Sequence, residues 1–242
     1  MGLTQLNFTG RNKVEVAIDR LKEYEPKDGY YLAFSGGKDS VVIYDLAVKS
    51  GVKFDAHYCV SPIDPPQIYK FIKEHYPDVQ WDYHARGWWK LVVENGLPLR
   101  QARWCCRYIK EAGGEGRTVV LGNRRAESAK RKLQPIMDRH TKQDKVFVRP
   151  MIDFDDSEVW EYIKINNLPY CSLYNEGFKR LGCILCPFTR DIERQIRYFP
   201  KTVQAWRNAC DRIIEKRLAS GKEYEHTFQT GEELFDWWVA RG

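Results

Sequence analysis

Two groups of residues in this sequence have the types and spacing to do chemistry: a glycine-rich loop and two pairs of cysteines. The loop reads SGGKDS over residues 35–40. It follows an apolar run at 30–34 that is typical of a buried strand, and it precedes VVIYDLAVKSG, which indicates a helix closed by Gly51. A glycine backbone can approach a ligand closely, and the N-terminus of a helix attracts anions. With the cationic Lys38, the turn predicts a phosphate-binding site.

This loop departs from the Walker A pattern of many nucleotide-binding proteins. Leu32 stands where that pattern has its first glycine, and Asp39 follows the lysine where Walker A has serine or threonine. The plainer alternative is an ordinary glycine-rich turn. The strand before the loop and the helix after it favour the phosphate site over that alternative.

The second group consists of the adjacent Cys105 and Cys106 and the Cys-x-x-Cys pair Cys183 and Cys186. Two thiol pairs from distant segments predict a four-sulfur site. Three occupants are open: an iron–sulfur cluster, a zinc ion, or a redox dithiol at the second pair alone. We favour the cluster, because zinc sites usually show Cys-x-x-Cys at both ends and the dithiol leaves the first pair unexplained.

These groups need a scaffold, and the pattern of the chain supplies one. Buried-strand patterns alternate with helical ones, which predicts an α/β fold with a mostly parallel sheet and helices on both faces. The segment NRRAES follows a further apolar run at 118–122. Ligands bind beyond the carboxyl ends of such strands, so residues 35–40 and 123–125 should converge. We expect an α/β domain at 1–190 that includes the cysteines, and a helical extension at 191–242.

Composition narrows the setting. The 242 residues carry a formal charge of +6, which suits an anionic ligand or nucleic acid and selects neither. No apolar run has membrane-spanning length, and the polar N-terminus does not read as a signal peptide, so we expect a cytoplasmic protein with no membrane partner. Its cysteines should then be free, catalytic or metal-bound.

Five motifs, in order, carry a resemblance to a known family: SGGKDS, the CC pair, GNRRAES, RPMIDFDDSEVWEYI and LYNEGFKRLGCILC. Together they resemble the phosphoadenosine and adenosine phosphosulfate reductase family of the PP-loop ATP pyrophosphatase superfamily. The match runs from residue 30 to about residue 188. The tandem pair with Cys-x-x-Cys is similar to the subgroup that carries a [4Fe–4S] cluster.

The resemblance implies the roles of particular residues. An adenylyl nucleotide, either ATP or an adenylyl or phosphoadenylyl sulfate, would lie next to the cluster. The implied nucleotide-binding residues are Ser35, Gly36, Gly37, Lys38, Asp39, Ser40, Glu127 and Ser128. The implied catalytic residues are Lys38, Arg124, Arg125 and Arg131. The implied cluster ligands are Cys105, Cys106, Cys183 and Cys186.

One expected feature of the reductases does not occur in this sequence. They carry a nucleophilic cysteine in a C-terminal Glu-Cys-Gly-type motif, whereas no cysteine follows Cys210 here. Cys210 lies on the apolar face of a helical pattern and should pack in the core. Cys171 is then the spare candidate for a nucleophile.

Three function classes therefore stay open. The first is a sulfate-ester reductase that uses thioredoxin or another thiol protein. The second is an ATP-dependent sulfur transferase that needs Mg²⁺, takes sulfur from a donor such as a cysteine desulfurase, and modifies an acceptor such as DNA or tRNA. The third is a non-catalytic nucleotide or redox sensor. A homo-oligomer is compatible with each.

Overall fold

The computed structural model describes residues 2–6, 10–221 and 228–240. Contacts divide the chain into two compact units. The first unit comprises Met1–Cys59, Pro66–Asp82 and Gly113–Leu181, and the second comprises Val60–Pro65, Tyr83–Ala112 and Gly182–Gly242. Both cysteine pairs thus group with the C-terminal helices, and the domain boundary expected at residue 190 stays a prediction.

Strands and helices alternate through the first two-thirds of the chain. The strands are β1 Tyr30–Ala33, β2 Phe54–Cys59, β3 Gln80–Asp82, β4 Thr118–Val120, β5 Met137–His140 and β6 Lys145–Val148. The helices are α1 Lys13–Glu23, α2 Lys38–Ser50, α3 Pro66–His75, α4 Trp88–Asn95, α5 Ala129–Lys132, α6 Asp156–Ile165, α7 Ile192–Tyr198, α8 Pro200–Ser220 and α9 Gly231–Ala240. The predicted α/β class and helical C-terminal part are confirmed.

All six strands form one sheet of the first unit, in the order β3-β2-β1-β4-β6-β5. Every neighbouring pair is parallel except β5 with β6, so the prediction of a mostly parallel sheet is confirmed. The antiparallel edge strand β5 was not predicted. Its sequence, MDRH, is too short and too polar to show the apolar alternation that marks a strand.

Strand β1 lies at the centre of the sheet, and this position determines where a ligand can bind. Tyr31 pairs with Asp55 of β2 on one side and with Val119 of β4 on the other. The chain leaves β1 toward β2 and later returns to the opposite side as β4, which makes the β1–β4 gap a topological switch point. Parallel sheets bind ligands in that crevice, beyond the carboxyl ends of the strands.

Buried apolar side chains hold α2 on the first unit. Val41, Val42, Ile43 and Leu46 are fully buried along this helix. Helix α6 begins with a capping box. The Asp155 carboxylate accepts a hydrogen bond from the backbone N–H of Glu158, and the Glu158 carboxylate accepts one from the backbone N–H of Asp155. This cap satisfies N–H groups that would otherwise be unpaired, so the start of α6 has a defined position.

The second unit is helical. Its helix α8 buries Trp206, Ala209 and Cys210 on one face. Residues Cys106–Lys110 form a π-helical turn, a rare conformation that often occurs at functional sites. No helix in the described parts of the chain has both the length and the apolar character needed to cross a bilayer.

Candidate functional site

The turn between β1 and α2 has a conformation that its glycines make possible. Gly36 has φ of +72°, and a Cβ atom there would lie 2.9 Å from Cγ2 of Ile68. A side chain at this position would therefore meet both backbone strain and a steric clash. Gly37 is the N-cap of α2, and no side chain caps the helix at this position. The glycine pair thus brings bare backbone to the positive end of the helix.

Hydroxyl groups hold the loop. Ser40 Oγ donates to the carbonyl oxygen of Gly37 at 2.8 Å, and the Ser35 and Ser40 hydroxyls lie 3.3 Å apart. The backbone N–H of Lys38 donates to the Tyr174 hydroxyl at 2.9 Å. Burial, chiefly, raises the pKa of Tyr174, so this hydroxyl is neutral. The neutral hydroxyl oxygen of Tyr174 therefore accepts a hydrogen bond from one of the N–H groups at the N-terminus of α2.

Two cations and two carboxylates meet beside the loop. The Nζ atom of Lys38 lies 3.3 Å from Asp39 and 3.1 Å from Asp156. Arg124 donates from Nε to Asp39 at 2.7 Å and from Nη2 to Asp156 at 3.1 Å. The lysine and arginine are 5% and 2% exposed, whereas the Asp156 side chain is 66% exposed. The two cations are therefore buried, whereas the carboxylate of Asp156, which pairs with both, faces solvent.

Arg124 is incompletely paired. Its Nη1 atom is buried and has no hydrogen-bond partner among the described residues. Buried guanidinium N–H groups are normally all paired, because an unpaired one carries the full cost of losing water. Gly122 explains how the arginine reaches the loop, since a Cβ there would lie 2.8 Å from the carbonyl oxygen of Asp39. The predicted convergence of the segments after β1 and β4 is present in the structure.

The other residues of the GNRRAES segment have structural partners. Arg125 pairs with Asp153 and donates to the carbonyl oxygen of Gln134 at 3.3 Å. Glu127 accepts the backbone N–H of Arg124 at 2.7 Å and pairs with Arg131. Ser128 caps the single turn of α5. Of the expected catalytic residues, the structure brings Lys38 and Arg124 together, while Arg125 and Arg131 lie in separate ion pairs.

Sequence reasoning did not assign two members of this site. Tyr174 contacts the loop from a 3₁₀ turn, Ser172–Tyr174; it lies in the quoted LYNEGFKRLGCILC motif, but no role was assigned to it. Asp156 was visible as the first residue of a helix, where acidic residues are common for capping reasons alone. Its contact with Lys38 depends on tertiary packing, which a sequence pattern does not report.

The four cysteines of the two predicted pairs border one cavity in the second unit. The cavity contains about 360 Å³ of space free of protein atoms, part of it open to solvent. Its wall is otherwise mainly apolar and includes Ile63, Ile109 and Leu185. Among the residues that the structure describes, no three His, Cys, Asp or Glu side chains form a group ready to hold one metal ion. The cysteines of both pairs therefore lie on the wall of one cavity.

The turn between Cys183 and Cys186 is fixed by the backbone. Leu185 has φ of +58°, which a leucine rarely adopts. Its N–H donates to Oε1 of Gln195 in α7 at 2.7 Å, and the N–H of Thr189 donates to the carbonyl oxygen of Cys186 at 2.8 Å. Strain of this kind persists only where the surroundings hold it in place, and it is frequent at functional sites.

Charged groups border the thiols. The neighbouring Cys105 thiol, with help from Arg103, lowers the pKa of Cys106 to about 6. The Nη2 atom of Arg103 lies 3.3 Å from Cys106 Sγ. Burial raises the pKa of Cys183, and the nearby Asp64 raises it further while pairing with Lys110. One thiol is thus poised to lose its proton, whereas Cys183 needs a positive partner to do so.

A family model, the phosphoadenosine phosphosulfate reductase domain, matches residues 29–189 of the chain. This chain belongs to that family. Among curated relatives, it is 29% identical to the Methanocaldococcus jannaschii protein MJ0066 over 76% of this chain and 42% of that one. It is 28% identical to an adenosine 5′-phosphosulfate reductase of Lysinibacillus sphaericus over 80% of this chain and 89% of that one. The chain spans less than half the length of the two Methanocaldococcus relatives that it matches.

A solved structure agrees with the family's fold. The phosphoadenylyl-sulfate reductase of Candida auris, crystallised with phosphate, aligns at a TM-score of 0.54 and 17% identity, covering 75% of this chain and 98% of that one. At this identity the likeness establishes the reductase-family fold alone. Both the loop and the GNRRAES segment fall inside the part of the chain that the family model matches.

The three remaining cysteines of this family member differ in exposure. Cys171 and Cys210 are fully buried, and burial raises the pKa of each. The structure confirms the prediction that Cys210 packs in the core. Cys59 is half-buried at the end of β2, with its sulfur 3.6 Å from the Tyr31 hydroxyl. Neither fully buried thiol has the exposed thiolate that a nucleophile needs.

Proposed function

We propose that this chain is an enzyme of sulfur metabolism that binds an adenylyl nucleotide at residues 35–40. The observation that carries the proposal is that Lys38 and Arg124 lie together, both paired with Asp39, beside the N-terminus of α2 at the switch point of the sheet. Phosphate and sulfate oxygens accept hydrogen bonds from backbone N–H groups, ammonium and guanidinium groups alike. The unpaired Nη1 of Arg124 is a donor for which such an oxygen is the natural acceptor.

Binding would proceed by exchange of partners. Lys38 and Arg124 now share Asp39 and the exposed Asp156, and an arriving oxyanion would replace those carboxylates. The two cations would then stabilise negative charge that develops on the nucleotide as its reacting bond breaks. If the nucleotide is ATP, the displaced carboxylates supply the oxygen ligands that Mg²⁺ prefers. Arg125, Arg131, Glu127 and Ser128 would support the segment that carries Arg124.

We further propose that Cys105, Cys106, Cys183 and Cys186 hold a [4Fe–4S] cluster. The donor set fits, since four thiols border one mainly apolar cavity. The tandem pair favours a cluster over a zinc ion, since zinc sites usually show Cys-x-x-Cys at both ends. When bound, the cluster would supply a one-electron redox centre. Arg103 and Lys110 would offset the negative charge of the thiolates.

The favoured reaction is reduction of adenylyl sulfate or phosphoadenylyl sulfate. Two electrons from a dithiol such as reduced thioredoxin would cleave the bond between sulfur and the bridging oxygen. The products would be sulfite, the disulfide, and AMP or its 3′-phosphorylated form. Lys38 and Arg124 would hold the phosphate end while that bond breaks.

A second candidate is the ATP-dependent sulfur transferase. The observation that favours it is the burial of Cys171 and Cys210, which leaves Cys59 as the half-exposed cysteine outside the two pairs. A reaction that cleaves ATP between its α and β phosphates needs no thiol nucleophile for that step. It would release pyrophosphate and adenylate an acceptor. A sulfur donor would then attack the adenylated atom, form the new bond to sulfur and displace AMP.

The deciding experiment uses the full chain, reconstituted with iron and sulfide without oxygen. One sample receives each sulfate ester with reduced thioredoxin, and another receives Mg-ATP with a sulfide donor and with DNA or tRNA as the acceptor. Sulfite from an ester supports the reductase. AMP and pyrophosphate from ATP, with no sulfite, support the transferase. Tight binding of a nucleotide without any product would identify a sensor and overturn both catalytic proposals.

A Cys59→Ser variant completes the experiment. If the chain reduces a sulfate ester through its own half-exposed thiol, this variant loses sulfite production, whereas Cys210→Ser retains it. If both variants make sulfite at the parent rate, the partner dithiol acts on the ester directly.

A further inference from the structure

The hydroxyl group of Tyr174 lies directly against the glycine turn. Its oxygen accepts a hydrogen bond from the backbone N–H of Lys38, the first residue of α2, at 2.9 Å. A Cβ atom built on Gly37 would lie 3.5 Å from the same oxygen. The hydroxyl is therefore at the end of the helix that attracts anions.

The proton of this hydroxyl has no acceptor in the described parts of the chain. A tyrosine hydroxyl can donate one hydrogen bond while its oxygen accepts another. The oxygen of Tyr174 accepts from Lys38, but no described residue accepts from Tyr174. Burial, chiefly, raises the pKa of Tyr174, so the hydroxyl keeps its proton. The loop thus has a hydrogen-bond donor that the protein itself does not use.

A second unused donor lies near the same carboxylates. Nη1 of Arg124 is buried and unpaired in the described structure, while Nε and Nη2 contact Asp39 and Asp156. After burial, the negative charges of Asp39 and Asp156 also raise the pKa of Tyr174, which places its hydroxyl close to both. Donors removed from water nearly always find an acceptor. Two such donors at one place indicate a ligand rich in acceptor oxygens.

We propose that Tyr174 is a ligand-binding residue whose hydroxyl donates to a phosphate or sulfate oxygen of the bound nucleotide. This inference rests on the proposed adenylyl-nucleotide site at residues 35–40 and adds a residue to it. The N–H of Lys38 keeps its bond to the hydroxyl oxygen, and a hydroxyl that accepts one hydrogen bond is polarised toward donating another. Tyr174 thereby links the N-terminus of α2 to the ligand.

Helix α6 holds the ring of Tyr174 in this position. Trp160 packs edge to face against that ring, with centroids 4.9 Å apart. Trp160 follows Asp156 by one helical turn, so one face of α6 supplies both the carboxylate at the cations and the support for the tyrosine. The backbone N–H of Tyr174 donates to the carbonyl oxygen of the buried Cys171 at 3.1 Å. The hydroxyl is therefore in place before a ligand arrives, which reduces the entropy cost of binding.

Two other roles for this hydroxyl give different results when it is removed. A hydroxyl that blocks the helix N-terminus competes with the ligand for the N–H of Lys38, so its removal strengthens binding. A hydroxyl that only holds the loop in shape affects every ligand at the site, so its removal also weakens the binding of ligands without an oxyanion.

The test removes the hydroxyl and keeps the ring. Tyr174→Phe is compared with Tyr170→Phe in the full chain, because Tyr170 packs on Trp160 at 5.3 Å between centroids but donates its hydroxyl to Asn175 at 3.2 Å. Isothermal titration calorimetry is carried out with ATP, adenylyl sulfate, inorganic pyrophosphate and adenosine, the last of which has no oxyanion. Tyr174→Phe should weaken binding of the three anions by about tenfold or more, since hydrogen bonds to charged groups are the strong ones. Adenosine should bind all three proteins alike, and Tyr170→Phe should bind every probe as the parent does.

A second measurement follows the hydroxyl itself. Tyrosine labelled with ¹³C at Cζ reports the hydrogen bonding of each phenol oxygen in NMR spectra. Inorganic pyrophosphate should shift the resonance of Tyr174 in the parent, and that resonance is assigned by its absence from Tyr174→Phe. A resonance that does not move at saturating pyrophosphate contradicts a direct contact.

The calorimetry separates this inference from the function on which it rests. Tighter anion binding in Tyr174→Phe, unchanged anion binding, or an equal loss for adenosine would each overturn the role of the hydroxyl while leaving the nucleotide site intact. If the parent itself binds neither ATP nor adenylyl sulfate, the proposed function fails, and this inference falls with it.

Discussion

The two candidate sites satisfy their polar groups in opposite ways. Beside the loop at residues 35–40, Asp39 and Asp156 neutralise the charges of Lys38 and Arg124. Within the described structure, Nη1 of Arg124 is the one atom of these four side chains that is both buried and unpaired. The wall of the cysteine cavity is mainly apolar, and the charged side chains of Arg103, Asp64 and Lys110 lie beside its thiols. The first site should therefore bind by exchange of ion pairs and release its ligand readily. The second should bind by filling a space and hold its occupant.

The largest expected effect is at the cavity. Cys186→Ser should abolish retention of iron and sulfide, because a hydroxyl is a poor substitute for a thiolate ligand. Metal analysis after desalting checks this, with Cys210→Ser as the control, since Cys210 is a buried core residue that does not border the cavity. Equal iron content in the two variants would show that the cavity is not a four-cysteine site.

The next effect is at the loop. Arg124→Gln should weaken binding of ATP or adenylyl sulfate by about 10-fold to 100-fold, since a hydrogen bond to a charged group contributes about 1.5–3 kcal/mol. Arg125→Gln is the matched control, and it should change affinity by less than about threefold because Arg125 pairs with Asp153. Isothermal titration calorimetry measures both. An equal loss of affinity in the two variants would show that Arg125 also contacts the ligand.

A smaller effect should run in the opposite direction. Asp156→Asn removes an exposed carboxylate that competes with the ligand for Lys38 and Arg124. Nucleotide affinity without Mg²⁺ should rise by about twofold to fivefold, and the gain should shrink as salt increases, because exposed charges are screened. A loss of affinity would mean that Asp156 contacts the ligand itself. Titrations at low and high salt separate these outcomes.

The smallest effect concerns an ion pair away from both sites. Arg117 donates a hydrogen bond to Asp55 and, with His57, lowers the pKa of that carboxyl group to about 2. A depressed pKa in the folded state stabilises the protein above the pKa of the unfolded carboxyl, near 4, and this contribution is lost as pH falls toward 2. The difference in free energy of unfolding between the parent and Asp55→Asn should therefore be larger at about pH 5 than at about pH 3. Below pH 4 it should shrink in urea titrations.

The sequence predicted the structure correctly where a local pattern of residues determines the conformation. The central strands are buried on both faces and read as apolar runs, and the glycines of the loop are required by one backbone conformation and one close contact. The antiparallel strand β5 was missed because four mostly polar residues have no periodicity. Its place depends on hydrogen bonds to β6 alone.

Site chemistry was predictable by segment but not by residue. SGGKDS and GNRRAES were paired correctly, because parallel strands end at the same edge of a sheet. Which arginine would reach the loop could not be read from the sequence, since Arg124 and Arg125 are adjacent and differ only in the direction of their side chains.

The turn at Leu185 bears on whether the protein can be reused after it loses a bound group. Its left-handed backbone is held by a hydrogen bond from its N–H to the side chain of Gln195, and both partners belong to the protein. Such a bond does not depend on a metal–thiolate bond. If the proposed cluster is lost to oxygen, we therefore expect the cysteine turn to stay folded, so that the same polypeptide can be reloaded instead of being degraded and resynthesised.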